Sequence, residues 1–145
     1  MFLSSAELGF LPNIKFCVSL SRYAVFGTVS DRNYPQLSTV WFLYELGTIY
    51  VGIEKNSAKY RNLARNSNVA LCIDGEHPDG RTVTVYGSAE IIEPAESKYD
   101  PIVWSLVRRY HETDEDARRY QESMEGRDSV LLRVAIKRVV AMDYR

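Results

Sequence analysis

Hydrophobic and polar residues alternate along most of this chain, and the points where the alternation stops divide it into elements. The first clear two-residue period opposes Ala24, Phe26 and Thr28 to Tyr23, Val25 and Val29, which predicts a strand from Tyr23 to Val29. Asp31-Arg32-Asn33 is a turn in which Asn33 takes a left-handed or Asx conformation. The next run, YPQLSTVWFLY, places Leu37, Thr39, Trp41 and Leu43 on one face and Ser38, Val40, Phe42 and Tyr44 on the other. Both faces are apolar enough to be covered, as where a barrel interior lies on one side and another element or subunit on the other. Glu45-Leu46-Gly47 turns the chain into Thr48 to Ile53, and these three strands are expected to form an antiparallel meander.

The period then changes. A short basic helix is expected from Ser57 to Arg65, with Ser57 as its N-cap and Tyr60, Leu63 and Ala64 as its packed side. Such a short helix is marginal alone and must be held by the sheet. Strand pattern resumes over Val69 to Ile73 and again in RTVTVYGSAEII, where Gly87 marks a bulge, bend or close approach. Asp100-Pro101 opens a helix with Ile102, Val103, Leu106, Val107 and Tyr110 on one face. Thr113 caps another that displays Ala117, Tyr120 and Met124. Val130 to Ile136 and a continuation through Val139 to Met142 are strand-like. Residues Met1 to Ser21 read as a short helix and a strand or turn, broken at Pro12 and Asn13.

The 145 residues fit a single domain, 1–145, with a substantial core, and the order of elements predicts a mainly β fold, an antiparallel barrel with peripheral helices. A net charge of -1 argues against a surface built for nucleic acid. Cys17 and Cys72 lie in apolar surroundings and read as small core residues of a protein in a reducing, cytoplasmic compartment. His77 and His111 stand in no metal-ligand spacing, and the N-terminal apolar stretch, interrupted by Glu7, reads as neither a signal peptide nor a spanning helix. The six carboxylates from Glu112 to Glu125 read as a solvated outer face.

One stretch stands apart from this even charge. Lys55, Lys59, Arg61 and Arg65 fall between Gly52 and Leu71, and no carboxylate occurs between Lys55 and Ile73. A helix start with free backbone N–H groups beside lysines suits a phosphate. A solvated basic face explains the same residues equally well. No Ser-His-Asp set, activated Cys-His pair or close acid pair accompanies it, so an enzyme of this sequence needs a cofactor to carry the reaction.

YPQLSTVWF, then SAKYRNLARNSNVAL, then TVYGSAEI resembles the flavin and deazaflavin oxidoreductases related to pyridoxamine 5'-phosphate oxidase, over Arg22 to Ile92 and again in VLLRVAI. The resemblance implies a six-stranded antiparallel split barrel of the FMN-binding type, a homodimer, and cofactor clefts at the dimer interface. By position it assigns Ser57 and Lys59 to the cofactor phosphate, Arg61 and Asn62 to the helix continuation, one of them supporting that loop and the other reaching the phosphate, and Ser38, Thr39, Val40 and Trp41 to the ring. It is strongest with small members that use the deazaflavin coenzyme F420, whose polyglutamate tail favours a basic groove built from Lys55, Arg61 and Arg65. FMN, with one phosphate, suits the same pocket. Gly52 stands where relatives carry Ser or Thr, Ala58-Lys59 replaces a basic pair, and no substrate-binding arginine and histidine pattern follows, which argues against pyridoxamine phosphate as substrate.

The expected function is hydride transfer from reduced F420, or else FMN, to an electron-poor small molecule, without nucleic-acid or membrane partners. A non-catalytic flavin or deazaflavin carrier is the alternative. A haem-binding relative ranks lower because neither histidine sits in a ligand motif.

Overall fold

In the computed structural model, which describes residues 23–74, 78, 80–94 and 96–144, the expectations for Met1 to Ser21, Cys17 and His77 lie outside the described residues. The described strands are β1 (Ala24–Val29), β2 (Pro35–Val40), β3 (Leu43–Glu45), β4 (Thr48–Glu54), β5 (Asn68–Asp74), β6 (Arg81–Ile92) and β7 (Ser129–Asp143). Helix α1 (Ala58–Arg65) follows β4, and α2 (Asp100–Arg109) and α3 (Asp114–Ser123) lie between β6 and β7. All strand pairs are antiparallel, in the order β2-β1-β5-β6-β7-β4-β3.

That order corrects the meander expected near the start. β2 pairs with β1 and β3 with β4, but β2 and β3 do not pair with each other; they are the two outermost strands of the sheet. The run from Tyr34 to Tyr44 is therefore two strands, and the sheet has seven where six were expected. Val40 is the last residue of β2 in register, opposite Ala24, and Leu43 the first of β3, opposite Tyr50. The chain thus steps from one edge of a curled sheet to the other across Trp41 and Phe42 alone. The alternation gives no sign of this: Val40 and Phe42 both join the inner core, while Trp41 and Leu43 both pack outside it. Only the partner changes, not the period.

Two turns match their residues. Asn33 has φ 62°, and Leu46-Gly47, at φ 49° and 80°, forms the two-residue hairpin between Glu45 and Thr48 that favours positive φ at both positions. The irregularity expected at Gly87 is a bulge. Tyr86 pairs with Arg138 but Gly87 with Ile136, leaving Lys137 as the extra residue on β7. A Cβ on Gly87 would lie 2.1 Å from the carbonyl oxygen of Ala135, so only glycine fits. This bulge lets β7 continue as one strand of 15 residues where two segments were read.

The apolar residues divide between two cores. The interior of the curl holds Phe26, Phe42, Ile49, Leu71, Leu132 and Val134, all inaccessible to solvent; burying each contributes about 2 kcal/mol. A second cluster outside it, around Ile92, Leu106 and Leu131, seats α2 on the sheet. Cys72 is exposed, against expectation, because Leu71 and Ile73 take the inward positions of β5. No described helix is long and apolar enough to cross a membrane.

Candidate functional site

Helix α1 packs against β1 and β4. Its sequence explains the placement. Ser57 has extended backbone angles, its Oγ accepts from the Tyr60 N–H at 3.2 Å, and its hydroxyl donates to the Glu54 carbonyl at 2.6 Å. The cap therefore joins the helix start to the end of β4. Leu63 is the one fully apolar side chain α1 buries. The other buried position is Asn62 rather than the expected Ala64, which is exposed. Asn62 Nδ2 donates to Thr28 Oγ1 at 3.0 Å, Thr28 donates to Gln36 Oε1 at 3.0 Å, and Arg65 donates to Asn62 Oδ1 at 2.9 Å. A single buried Leu offsets only a small part of the ordering entropy of eight residues. The polar chain from Arg65 to β2 supplies the rest of the orientation.

At the start of α1 opens a cleft of about 710 Å³, bounded by the ends of β2 and β4, the beginning of β7, α2 and the C-terminal end of α3. Its apolar walls include Val40, Trp41, Ile53, Val103, Leu106 and Leu131. The size suits a ligand with several fused rings. The first-turn N–H groups of Ala58 and Lys59 have no intrahelical partner, and no acidic residue occupies that turn. Lys59 Nζ donates to Ser38 Oγ at 3.0 Å, which brings the ammonium to the same end and leaves it two further N–H donors.

Among the residues the sequence nominated, Thr39, Val40, Trp41, Ser57 and Lys59 line this cleft, and Ser38 joins them through Lys59. Lys55, Arg61 and Asn62 do not. Lys55 pairs with Glu93 at 2.8 Å and with Asp128 at 3.8 Å, and the hydrogen bond to Glu93 holds its ammonium above the usual lysine range. Arg61 donates to the carbonyl of Asn56 at 3.0 Å, and Arg65 is engaged by Asn62 and the carbonyl of Arg61. Asn62 ties the helix to β1. The cations Lys59 and Arg127 line the cleft against five carboxylates, Glu54, Glu93, Glu96, Asp100 and Glu125, with Arg127 paired to Glu54 at 3.2 Å. The positive character is thus confined to the α1 end.

Sequence reasoning did not single out Tyr110, Tyr120 or His111 for the site. Trp41 stacks on Tyr110 with ring centroids 4.5 Å apart and planes 7° apart, meets Tyr120 at 5.2 Å, and meets the edge of His111 at 5.8 Å. The Tyr110 phenol oxygen accepts from the Phe42 N–H at 2.9 Å and donates to the Phe42 carbonyl at 3.1 Å. Burial raises the Tyr110 pKa above the ordinary value of 10.0, opposed by its hydrogen bond to the Phe42 backbone. These residues follow Trp41 by about seventy positions, and no spacing rule links them. The helical faces that carry Tyr110 and Tyr120 were legible; their common target was not.

A curled antiparallel half-barrel, with a helix start beside a preformed cleft at its split edge, defines the flavin-binding split-barrel class of fold. The family model for pyridoxamine 5'-phosphate oxidase matches residues 10–143, and the chain belongs to that family, which includes oxidoreductases. Among solved structures it resembles the conserved hypothetical protein Rv2991 of Mycobacterium tuberculosis at 27% identity and TM-score 0.74, covering 99% of this chain and 86% of that one. An F420 reductase matches at 20% identity and TM-score 0.65, over 86% of this chain and 93% of that one. The haem storage protein HutZ of Vibrio cholerae matches at 17% identity and TM-score 0.72, over 91% and 92%. No curated protein matches the sequence.

Proposed function

We propose that this protein is a cytoplasmic oxidoreductase that binds a flavin-type cofactor in the cleft beside α1 and moves hydride between it and a small, electron-poor organic molecule. The observation that carries this reading is the coincidence, in one cleft, of a helix start whose first-turn N–H groups lack intrahelical partners, Lys59 beside it, and an apolar wall ending at Trp41. A phosphate fits the donors present. The N–H groups of Ala58 and Lys59 and the Lys59 ammonium would hold it, whereas the Ser57 hydroxyl hydrogen is already committed to Glu54. Thr39, Val40 and Trp41 would flank the ring. When bound, the cofactor supplies the hydride chemistry; the chain's part is to fix its orientation and to exclude water with the walls from β4, α2 and α3.

FMN is the better fit of the two cofactors. Its anionic charge is compact, and the cleft offers only one compact positive end. A polyglutamate tail would run toward Glu96, Asp100 and Glu125, and the basic groove expected from Lys55, Arg61 and Arg65 is not at hand, since all three are engaged elsewhere. F420 is the second reading, favoured by the similarity to an F420 reductase. A homodimer fits both. Tyr23 just before β1, Val25 on β1 and Leu37 on β2 are exposed, and Val25 pairs with Thr39, which lines the cleft, so a second copy would cover an apolar patch beside it.

The test is equilibrium binding of FMN and of F420 to cofactor-free protein, with Lys59→Ala beside it. FMN binding weakened by the substitution supports the reading, preferential F420 binding moves it to the second, and binding of neither refutes both. Bound cofactor that no acceptor reoxidises would mark a carrier.

A further inference from the structure

The peptide between Trp41 and Leu43 occupies an unusual position. Phe42 is fully buried, yet it belongs to neither ladder, because β2 ends at Val40 and β3 begins at Leu43. Buried backbone groups must find partners. Here a single side chain provides both: the Tyr110 hydroxyl accepts from the Phe42 N–H and donates to its C=O. The ring of that tyrosine lies flat on Trp41, and Tyr23 stacks on it from a centroid distance of 6.1 Å. Tyr110 does not itself line the cleft, but Trp41 does.

We propose that Tyr110 is a positioning residue for the cleft: by latching the Phe42 peptide and backing the Trp41 ring, it fixes the wall against which a bound ring system is held. This rests on the reading of the cleft as a cofactor site. Without the hydroxyl, two buried backbone groups lack partners, and the segment best able to move in search of new ones is Trp41-Phe42 itself. The cost is therefore delivered to the cleft wall and not only to global stability. A residue whose role is merely to fill the core would lower stability without altering the ligand's surroundings.

The chain has two tryptophans, Trp41 and Trp104, so a Trp104→Phe parent reports Trp41 emission alone. In that parent, Tyr110→Phe keeps an aromatic ring on Trp41 but removes the latch, while Val139→Ala removes buried volume where β7 pairs with Val85 of β6 as a control for stability. Tyr110→Phe is expected to shift the Trp41 emission of the ligand-free protein and to weaken FMN binding about tenfold. Val139→Ala should lower the unfolding midpoint with emission and affinity as in the parent. Emission and affinity both unchanged in Tyr110→Phe, or changed equally by Val139→Ala, overturns the inference. A parent that binds neither FMN nor F420 overturns the reading of the cleft and the ligand half of the inference, and Trp41 emission then decides whether Tyr110 holds that wall.

Discussion

The helices on the two sides of the cleft are attached in opposite ways. Helix α1 is held by directional polar bonds, from Arg65 through Asn62 and Thr28 to Gln36, with Leu63 as its one buried apolar side chain. The pair α2 and α3 is held by apolar and aromatic surfaces, with Leu106, Val107 and Ala117 buried and Tyr110 and Tyr120 packed around Trp41. Each mode of attachment suits its side to a different task. Hydrogen bonds fix the direction in which a helix start points, which matters for an anion; aromatic packing fixes a surface, which matters for a ring. Charge follows the same division, with Lys59 at the α1 end and Glu96, Asp100 and Glu125 across the cleft.

The largest effect should come from breaking the polar side. Asn62→Leu leaves Thr28 and Arg65 without their buried partner and should cost about 3 kcal/mol in denaturant unfolding. FMN affinity of the remaining folded protein should hold, and a larger loss of affinity than of stability would restore Asn62 to the ligand-contacting role its position suggested.

On the aromatic side, Tyr110→Phe should cost about 2 kcal/mol. It should also change the dependence on alkali. An unfolded tyrosine loses its proton near 10.0, and Tyr110, like Tyr44 and Tyr50, holds its proton to higher pH in the fold because burial disfavours the phenolate. The contribution to stability is complete below pH 10 and is lost as pH rises through the folded pKa values. Unfolding midpoints measured from pH 9 upward should fall, and fall less steeply in Tyr110→Phe.

Lys59→Ala sharpens the contrast in charge. It should weaken FMN binding about tenfold while moving stability by less than about 1 kcal/mol, since it removes one half-exposed hydrogen bond to Ser38. Smallest of all is Gly52→Ser. Among the described residues, a Cβ there meets only Leu106 Cδ2, at 3.9 Å, so the fold should change by less than about 1 kcal/mol while the cleft gains a hydroxyl. An unfolded Gly52→Ser protein would show that the wall from α2 is tighter than this distance implies.

The parts of the fold that follow from local rules were readable in advance. The period located six of the strands, Ser57 and Thr113 cap their helices through the bonds expected of them, and Gly87 sits at the bulge. What the period conceals is a change of partner. Val40 and Phe42 face the same interior on either side of the step between sheet edges, so an unbroken alternation read as one strand and a meander. In the cleft, the residues close in sequence to the helix start, Ser57 and Lys59, were found by their local chemistry. Asn62 and Lys55 have the right composition for ligand contacts, but their partners, Thr28, Glu93 and Asp128, arrive from other elements. Tyr110 was unreadable for the same reason.

The position of β7 has a consequence for the making of the protein. It lies between β6 and β4, so without it the sheet falls into two pieces, β2-β1-β5-β6 and the β4-β3 hairpin. It also follows the other described strands in chain order. The edge of β4 that will meet Leu131 and Leu132 must therefore wait while the chain from Thr48 to Ala135 is translated, on the order of ten seconds at ordinary ribosomal speed. During that interval TIYVGIE is an unpaired apolar edge, and the residues within it least suited to joining another chain's sheet are Gly52 and Glu54. Both line the cleft in the finished protein, so the same two positions would guard the nascent chain and shape the mature site.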